Sequence, residues 1–280
     1  MTCTVITVIH NSEPHLQKLL ASLAEKCAEQ PPIIVVDTGS TDGGQHIART
    51  AGATVIDLPD NPGFGAANNA GVAAARSDVV ALLNPDITVT SGLADLAREA
   101  ERSNALHVPR LKHPDGSTED SIHPLPGSPR DALRAITPGP IRRAIGERAP
   151  AWATAAALVA RTATLRRLGP FDPAIFLFGE DLDLCLRARA QHIPTFLHKQ
   201  IAFTHAGGHS TGPEDIALRV NQHRHAVGTN LGPAAQSRDD AIQLLEHGVR
   251  AFRARDRAYI SAIRRDRRSP RSPGPADARR

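Results

Sequence analysis

The chain has 280 residues, 41% hydrophobic and 22% charged, enough for one large α/β domain, or a domain plus a helical appendage, around a buried core. Its longest apolar stretch, residues 151–160, contains Thr154 and reaches about half of the roughly 20 residues a membrane span needs, while residues 1–13 lack the basic region and small-residue cleavage site of a signal peptide, so a cytoplasmic protein is expected. Cys3, Cys27 and Cys185 form no CxxC pair, which excludes a disulfide framework and a zinc knuckle and predicts buried thiols in a reducing compartment.

The first hundred residues alternate short β-branched runs with Ala- and Leu-rich helical patterns, the mark of βαβ units and a mostly parallel sheet. Strands are predicted over 4–9, 33–37, 54–58 and 78–83, and helices over 13–28, 43–51, 65–75 and 92–103. In an open parallel sheet, ligands sit beyond the carboxyl ends of the strands, so polar residues that follow apolar runs are candidate binding groups. The second strand ends in Asp37, followed by Thr-Gly-Ser-Thr-Asp-Gly-Gly. That carboxylate can accept hydrogen bonds from a ribose or a base edge, and Ser40 and Thr41 open a helix whose N-terminus favours anions; the same residues also suit a plain strand end and helix cap. Next comes Asn-Pro-Gly-Phe-Gly-Ala-Ala-Asn-Asn over 61–69. Gly63 and Gly65 permit a tight turn and close backbone approach, Asn68 and Asn69 supply amide donors, and the segment is neither a Walker loop nor GxGxxG. The fourth strand runs into Asn84-Pro85-Asp86, where Asp86 is a hard carboxylate suited to Mg²⁺ or Mn²⁺ or, equally, to capping the strand.

Pro and Gly accumulate over residues 107–150, with Pro-Asp-Gly at 114–116 and Pro-Gly-Pro at 138–140, and this stretch is expected to be irregular. Order resumes at Trp152 with a strand-like run to Arg161, a short helix to Leu168 and a second helix over 180–191. Glu180, Asp181 and Asp183 stand at the start of that helix. Acids there favour the helix dipole, and two adjacent ones also suit a general base and its partner. Beyond His209 the pattern is helical, and after Ser269 the sequence reads as disordered. The expected divisions are a domain over 1–210, a helical region over 211–268 and a disordered basic tail over 269–280. The net charge of +4 is unevenly distributed: residues 250–280 hold eleven Arg against three Asp, a net +8. That end can meet an anionic membrane surface or stay solvated. With Phe252 and Tyr259 as its aromatics, no nucleic-acid partner is expected.

These segments, in this order over residues 4–210, resemble family 2 glycosyltransferases of the GT-A fold, in particular their bacterial rhamnosyltransferase-like branch. The matching pieces are His10-Asn11-Ser12, Val-Val-Asp-Thr-Gly-Ser-Thr-Asp-Gly, Asn-Pro-Gly-Phe-Gly with Asn-Asn, and Leu-Leu-Asn-Pro-Asp. Trp152 with its small-residue run, Gly-Pro-Phe-Asp with Phe-Gly-Glu-Asp-Leu-Asp-Leu-Cys-Leu-Arg, and His205-Ala-Gly-Gly-His-Ser complete the set. The resemblance implies a Rossmann-like, mostly parallel sheet flanked by helices, with a C-terminal helical extension. It implies that Asp37 binds the donor nucleoside, with Asn11, Ser40, Asp42, Gly65, Asn68, Asn84 and Trp152 around the donor. Asp86 would bind Mg²⁺ or Mn²⁺, His205 would lie at the metal or diphosphate, and Asp181 would be the catalytic base with Glu180 beside it. The reaction implied is a single inverting displacement from a nucleotide sugar, dTDP-L-rhamnose ahead of UDP-galactofuranose, UDP-hexoses and GDP-mannose. The acceptor would be a hydroxyl of a lipid-linked saccharide, another cell-envelope glycan or a soluble metabolite, at the inner face of the plasma membrane in the first case.

The chain departs from the pattern at several positions. Asn84 stands where a DxD motif has its first Asp, a form typical of this branch; Ala155 stands where the branch usually has Gly; His10 replaces the usual Tyr. Residues 219–225 follow the expected aromatic and basic pattern loosely. A nucleotide-dependent oxidoreductase would share the βαβ pattern, but His10-Asn11-Ser12-Glu13 is not its glycine fingerprint. A non-catalytic nucleotide-sugar-binding subunit would be expected to lose Asp86, Asp181 or His205, and all three are present.

Overall fold

The computed structural model describes residues 3–207 and 213–251; the expectations for residues 208–212 and for the basic segment 252–280 lie outside those residues. β1 (Cys3–Ile9), α1 (Glu13–Lys26), β2 (Ile33–Asp37), α2 (Gly44–Thr50), β3 (Thr54–Asp57), α3 (Phe64–Ala74) and β4 (Val79–Leu83) each fall within two residues of their expected spans. β1 pairs in parallel with β2 and β4, and β2 in parallel with β3. Both faces of β1 and β4 are covered, so their sequences are near-continuous apolar runs. Ile6 and Leu82 pack into one core with Val72 and Leu184, while Val5, Ala81 and Leu83 pack on the other side with Leu19, Leu23 and Leu96.

The chain continues through β5 (Ile87–Val89), α4 (Leu93–Arg102), β6 (Leu106–Lys112), β7 (Ile122–His123), α5 (Pro129–Ile136) and α6 (Gly139–Arg148). It then forms β8 (Trp152–Ala153), β9 (Ala157–Arg161), α7 (Thr162–Leu168), α8 (Glu180–Ala190), β10 (Thr195–His205), α9 (Pro213–Leu231) and α10 (Pro233–Ala251). The main sheet runs β3-β2-β1-β4-β9-β6-β10-β5, and β7 pairs with β8 in a small second sheet. Parallel pairings outnumber antiparallel ones in the main sheet by four to three.

The middle segment is more regular than its composition predicts. β6 lies inside the main sheet between β9 and β10. Pro129 and Pro140 stand in the first turns of α5 and α6, where a missing N–H breaks no helix bond. Ser128 caps α5 by accepting the Asp131 N–H at 3.2 Å. β10 escaped the sequence reading because its pairing with β6 shifts register between His198 and Ala202, which interrupts its alternation.

The C-terminal helices close the side of the sheet that carries α8. Leu182 and Leu186 of α8 pack on Ala226 and Val227 of α9. α10 docks on α5, and a buried ionic cluster joins the two halves. Arg142 holds Glu246 and Asp120 at 2.6 Å each, and Arg134 holds Asp120 at 2.7 Å and Glu246 at 3.9 Å.

Candidate active site

β1, β2 and β4 are neighbours that run the same way, so the loops after them open on one edge. Asp37 ends β2 fully buried. One carboxylate oxygen accepts the Ser40 N–H at 3.0 Å and its hydroxyl at 2.5 Å, and the other accepts Gln45 Nε2. Asn11, at φ 49°, accepts the Thr41 N–H at 2.8 Å and donates its own N–H to the Ser40 hydroxyl at 2.9 Å. Asp42 accepts the Glu13 N–H at 2.8 Å, and Glu13 accepts the Gly43 N–H at 2.8 Å. The starts of α1 and α2 thus cap each other through exchanged carboxylates. Asn11, Asp37, Ser40 and Asp42 come together as a rigid rim.

Gly63 and Gly65 lock the next loop against the segment before α8. Phe64 donates its N–H to the Phe176 carbonyl at 2.9 Å. Gly63 has φ 96°, and a Cβ there would lie 2.4 Å from that carbonyl oxygen; one on Gly65 would lie 2.9 Å from Phe171 Cβ. Asn68 is buried and donates to the Phe64 carbonyl one turn back at 3.0 Å, while Asn69 brackets Phe171, donating to its carbonyl at 2.8 Å and accepting its N–H at 2.9 Å. Both amides therefore brace this loop.

After β4, Asp86 accepts the Gly207 N–H at 3.1 Å and faces His205 Nε2 at 3.4 Å, while His205 Nδ1 reaches Glu119 at 2.8 Å. Burial opposes the charge on His205, but its bonds to Asp86 and Glu119 outweigh it and raise the imidazole to about 10. Burial would likewise raise the Asp86 carboxyl, and the His205 bond outweighs it, leaving Asp86 below its ordinary value. The side-chain oxygen of Asn84 is buried with no hydrogen-bond partner. No motif marks Glu119 in the sequence. The hairpin that turns at Pro114-Asp115-Gly116 carries it back, with its N–H on the Leu111 carbonyl at 3.0 Å, so the turn was the available signal.

Glu180 is buried and Asp181 half-buried at the start of α8. Phe178 at φ 67° and Gly179 at φ 84° make the turn into the helix. Asp181 accepts the Leu182 N–H at 2.7 Å through Oδ1 and the Ala155 N–H at 3.4 Å through Oδ2. Burial, then the adjacent Asp181 carboxylate, pushes Glu180 up, and burial pushes Asp181 up as well. Next to Ala155, the Ala156 carbonyl accepts the Asn84 N–H at 2.8 Å. Consecutive residues thus tie the end of β4 to Asp181. Trp152 stacks on His123 at 3.9 Å between ring centroids and meets the edge of His223 at 6.3 Å. His223 in turn holds Asp239 at 2.9 Å; this partner from α9 had no distinguishing signal in the sequence.

An open α/β sheet with carboxylates at its strand ends and a buried acid pair at a helix start defines the class. Among solved structures, a mannosyltransferase from Pyrobaculum calidifontis, in complex with GDP-Man and Mn²⁺, matches at TM-score 0.62 and 14% identity, over 96% of this chain and 76% of that one. Glucosyl-3-phosphoglycerate synthase from Mycobacterium tuberculosis matches at TM-score 0.55 and 16% identity, over 82% and 78%. The fold is that of the GT-A glycosyltransferases. The profile of Glycosyl transferase family 2 matches residues 4–152, and the chain belongs to that family. It is also similar to the N-acetylglucosaminyl-diphospho-decaprenol L-rhamnosyltransferase of M. tuberculosis, 28% identical over 251 residues, 79% of this chain and 81% of the relative.

Proposed function

We propose that the chain transfers L-rhamnose from dTDP-L-rhamnose, with inversion, to a hydroxyl of a lipid-linked saccharide in cell-envelope synthesis. Similarity to the mycobacterial rhamnosyltransferase over 79% of the chain carries the choice of sugar and acceptor. The rim of Asn11, Asp37, Ser40 and Asp42 would receive the nucleoside, with Gly65, Asn68 and Asn84 shaping the donor loop and Trp152 contacting the sugar. Asp181 would take the acceptor proton at Oδ2, its more weakly bonded oxygen, with Glu180 beside it kept protonated by burial. One positioned base without a separate nucleophile supports a single displacement.

Asp86 and His205 fit a divalent ion: their facing atoms, 3.4 Å apart, can both bind one ion at about 2.1 Å. The orphaned Asn84 oxygen lies two residues from Asp86. Among the described residues, no group of three or more His, Cys, Asp or Glu could hold a metal, so donor diphosphate and water would supply the remaining ligands. Bound Mg²⁺ or Mn²⁺ would offset charge on the departing diphosphate. His205 serves that charge either as a neutral ligand or as an imidazolium.

The test is a donor screen by calorimetry with and without Mn²⁺, spanning dTDP-, UDP- and GDP-sugars. Binding of dTDP-L-rhamnose is expected; preference for another donor would overturn the sugar, and binding of none would overturn the whole reading. Asp181→Asn should abolish transfer while donor affinity stays within about threefold, because Asp181 acts on the acceptor. Retained turnover would remove Asp181 from the role.

A further inference from the structure

Helices α5 and α6 are amphipathic in the inverted sense. Their inward faces are polar: Arg134 and Arg142 are buried in the ionic cluster with Asp120 and Glu246. Their outward faces are apolar. Leu133 is 50% exposed and Ile136 and Ile141 are each 55% exposed. Six large hydrophobic residues are exposed among the described residues, and these three fall within nine positions on two helices that pack on each other, a cluster rather than scatter. The pair cannot rotate to bury them, because Arg134 and Arg142 are tied to Asp120 and Glu246, and a Cβ on Gly146 would lie 2.1 Å from the Ile122 carbonyl oxygen of β7.

The exposed charges of the two helices have one sign. Arg130 precedes Leu133 by three residues and Ile136 follows it by three, while Ala144 and Arg148 follow Ile141 by three and seven, so each stripe of aliphatic residues includes an exposed Arg. Arg143 is half-exposed. Both acids of the two helices are withdrawn: Asp131 is buried, and Glu147 is paired with Arg110 and Lys199 at 3.0 Å each. Pro138, Gly139 and Pro140 form an exposed tip between the helices. α6 packs on β7, whose His123 stacks on Trp152, so the patch adjoins the candidate site through a single strand.

We propose that the α5–α6 face docks on an anionic lipid bilayer, with Leu133, Ile136 and Ile141 entering the headgroup boundary and Arg130, Arg143 and Arg148 meeting lipid phosphates. Aliphatic residues beside arginines, with no exposed carboxylate, match such a surface. A second protein copy would leave like charges facing each other. The surface is independent of the donor sugar and of the basic segment 252–280.

The test uses the full chain in co-sedimentation with phosphatidylglycerol–phosphatidylcholine vesicles. Leu133→Gln/Ile136→Gln/Ile141→Gln is expected to lower partitioning by at least about tenfold. The same loss on adding the three substitutions should appear in a background where Arg264, Arg265, Arg267 and Arg268 are all changed to Gln. Unchanged partitioning of the triple variant overturns the proposal. So does a concentration-dependent dimer that the triple variant abolishes without change in vesicle binding, since the occupant is then a second copy. Ile136→Trp gives a separate readout: brominated anionic lipid should quench the added fluorescence, and absence of quenching overturns the proposal even if the triple variant folds poorly.

Discussion

Gly63→Ala tests whether the loop before α3 positions the base. At φ 96° the new residue would occupy backbone space that side chains rarely adopt, and its methyl would lie 2.4 Å from the Phe176 carbonyl oxygen. That is about 1 Å inside ordinary contact, and Phe176 cannot simply retreat: its oxygen accepts the Phe64 N–H, and Phe171 is held from both sides by Asn69. Backbone strain of about 1–3 kcal/mol and loss of one hydrogen bond worth about 1 kcal/mol give a cost of about 2–4 kcal/mol. At about 2 °C per kcal/mol in a chain of this size, Tm should fall by about 4–8 °C. Displacing residues 171–179 by most of an ångström also moves Asp181, and a misplacement of about 1 Å can cost about 100-fold in rate. Nucleoside diphosphate release should therefore show kcat down about 100-fold, with donor KM rising as well, since Gly65 and Asn68 of the same loop would shape the donor site. A lowered Tm with kcat within threefold of the parent would refute the link between this loop and the base.

Glu246→Ala should cost about 3–5 kcal/mol, because it removes a carboxylate that pairs two buried guanidinium groups, whereas Arg142→Met/Glu246→Met should recover most of that loss in urea unfolding. A single-variant loss under about 1 kcal/mol would count against the cluster. Glu180 has a folded pKa raised from 4.5 to about 8, so its stabilising contribution is fully present below the unfolded value and is lost as pH rises through the folded one. Glu180→Gln should therefore gain in Tm relative to the parent between pH 5 and pH 9; a pH-independent difference would contradict the shift. Asp86→Ala should abolish the Mn²⁺ dependence of donor binding in calorimetry, leaving a weaker metal-independent affinity through the Asp37 rim.

The parallel strands were legible because β1 and β4 are buried on both faces, so their apolar runs have little competing interpretation. Asp37, Asp86 and Asp181 were legible as acids that follow such runs or open a helix. What escaped depends on contacts distant in sequence. The prolines at 129 and 140 look like breakers until they stand in first turns, β10 hides behind its register shift, and Glu119 reaches His205 only because a hairpin reverses direction. Asp42 adds contacts that no motif reveals: it caps α1 and braces α2.

Ala155 and Ala156 tie Asp181 to Asn84 through adjoining backbone atoms. In a single displacement the incoming oxygen, the anomeric carbon and the departing oxygen must stay nearly collinear, and here one peptide step sets the angle between the groups that would serve the two ends. Strain confined to this step carries both ends together and leaves the approach trajectory in place. A larger side chain at position 155 would instead tilt one end against the other, changing which hydroxyl of an acceptor lies in line.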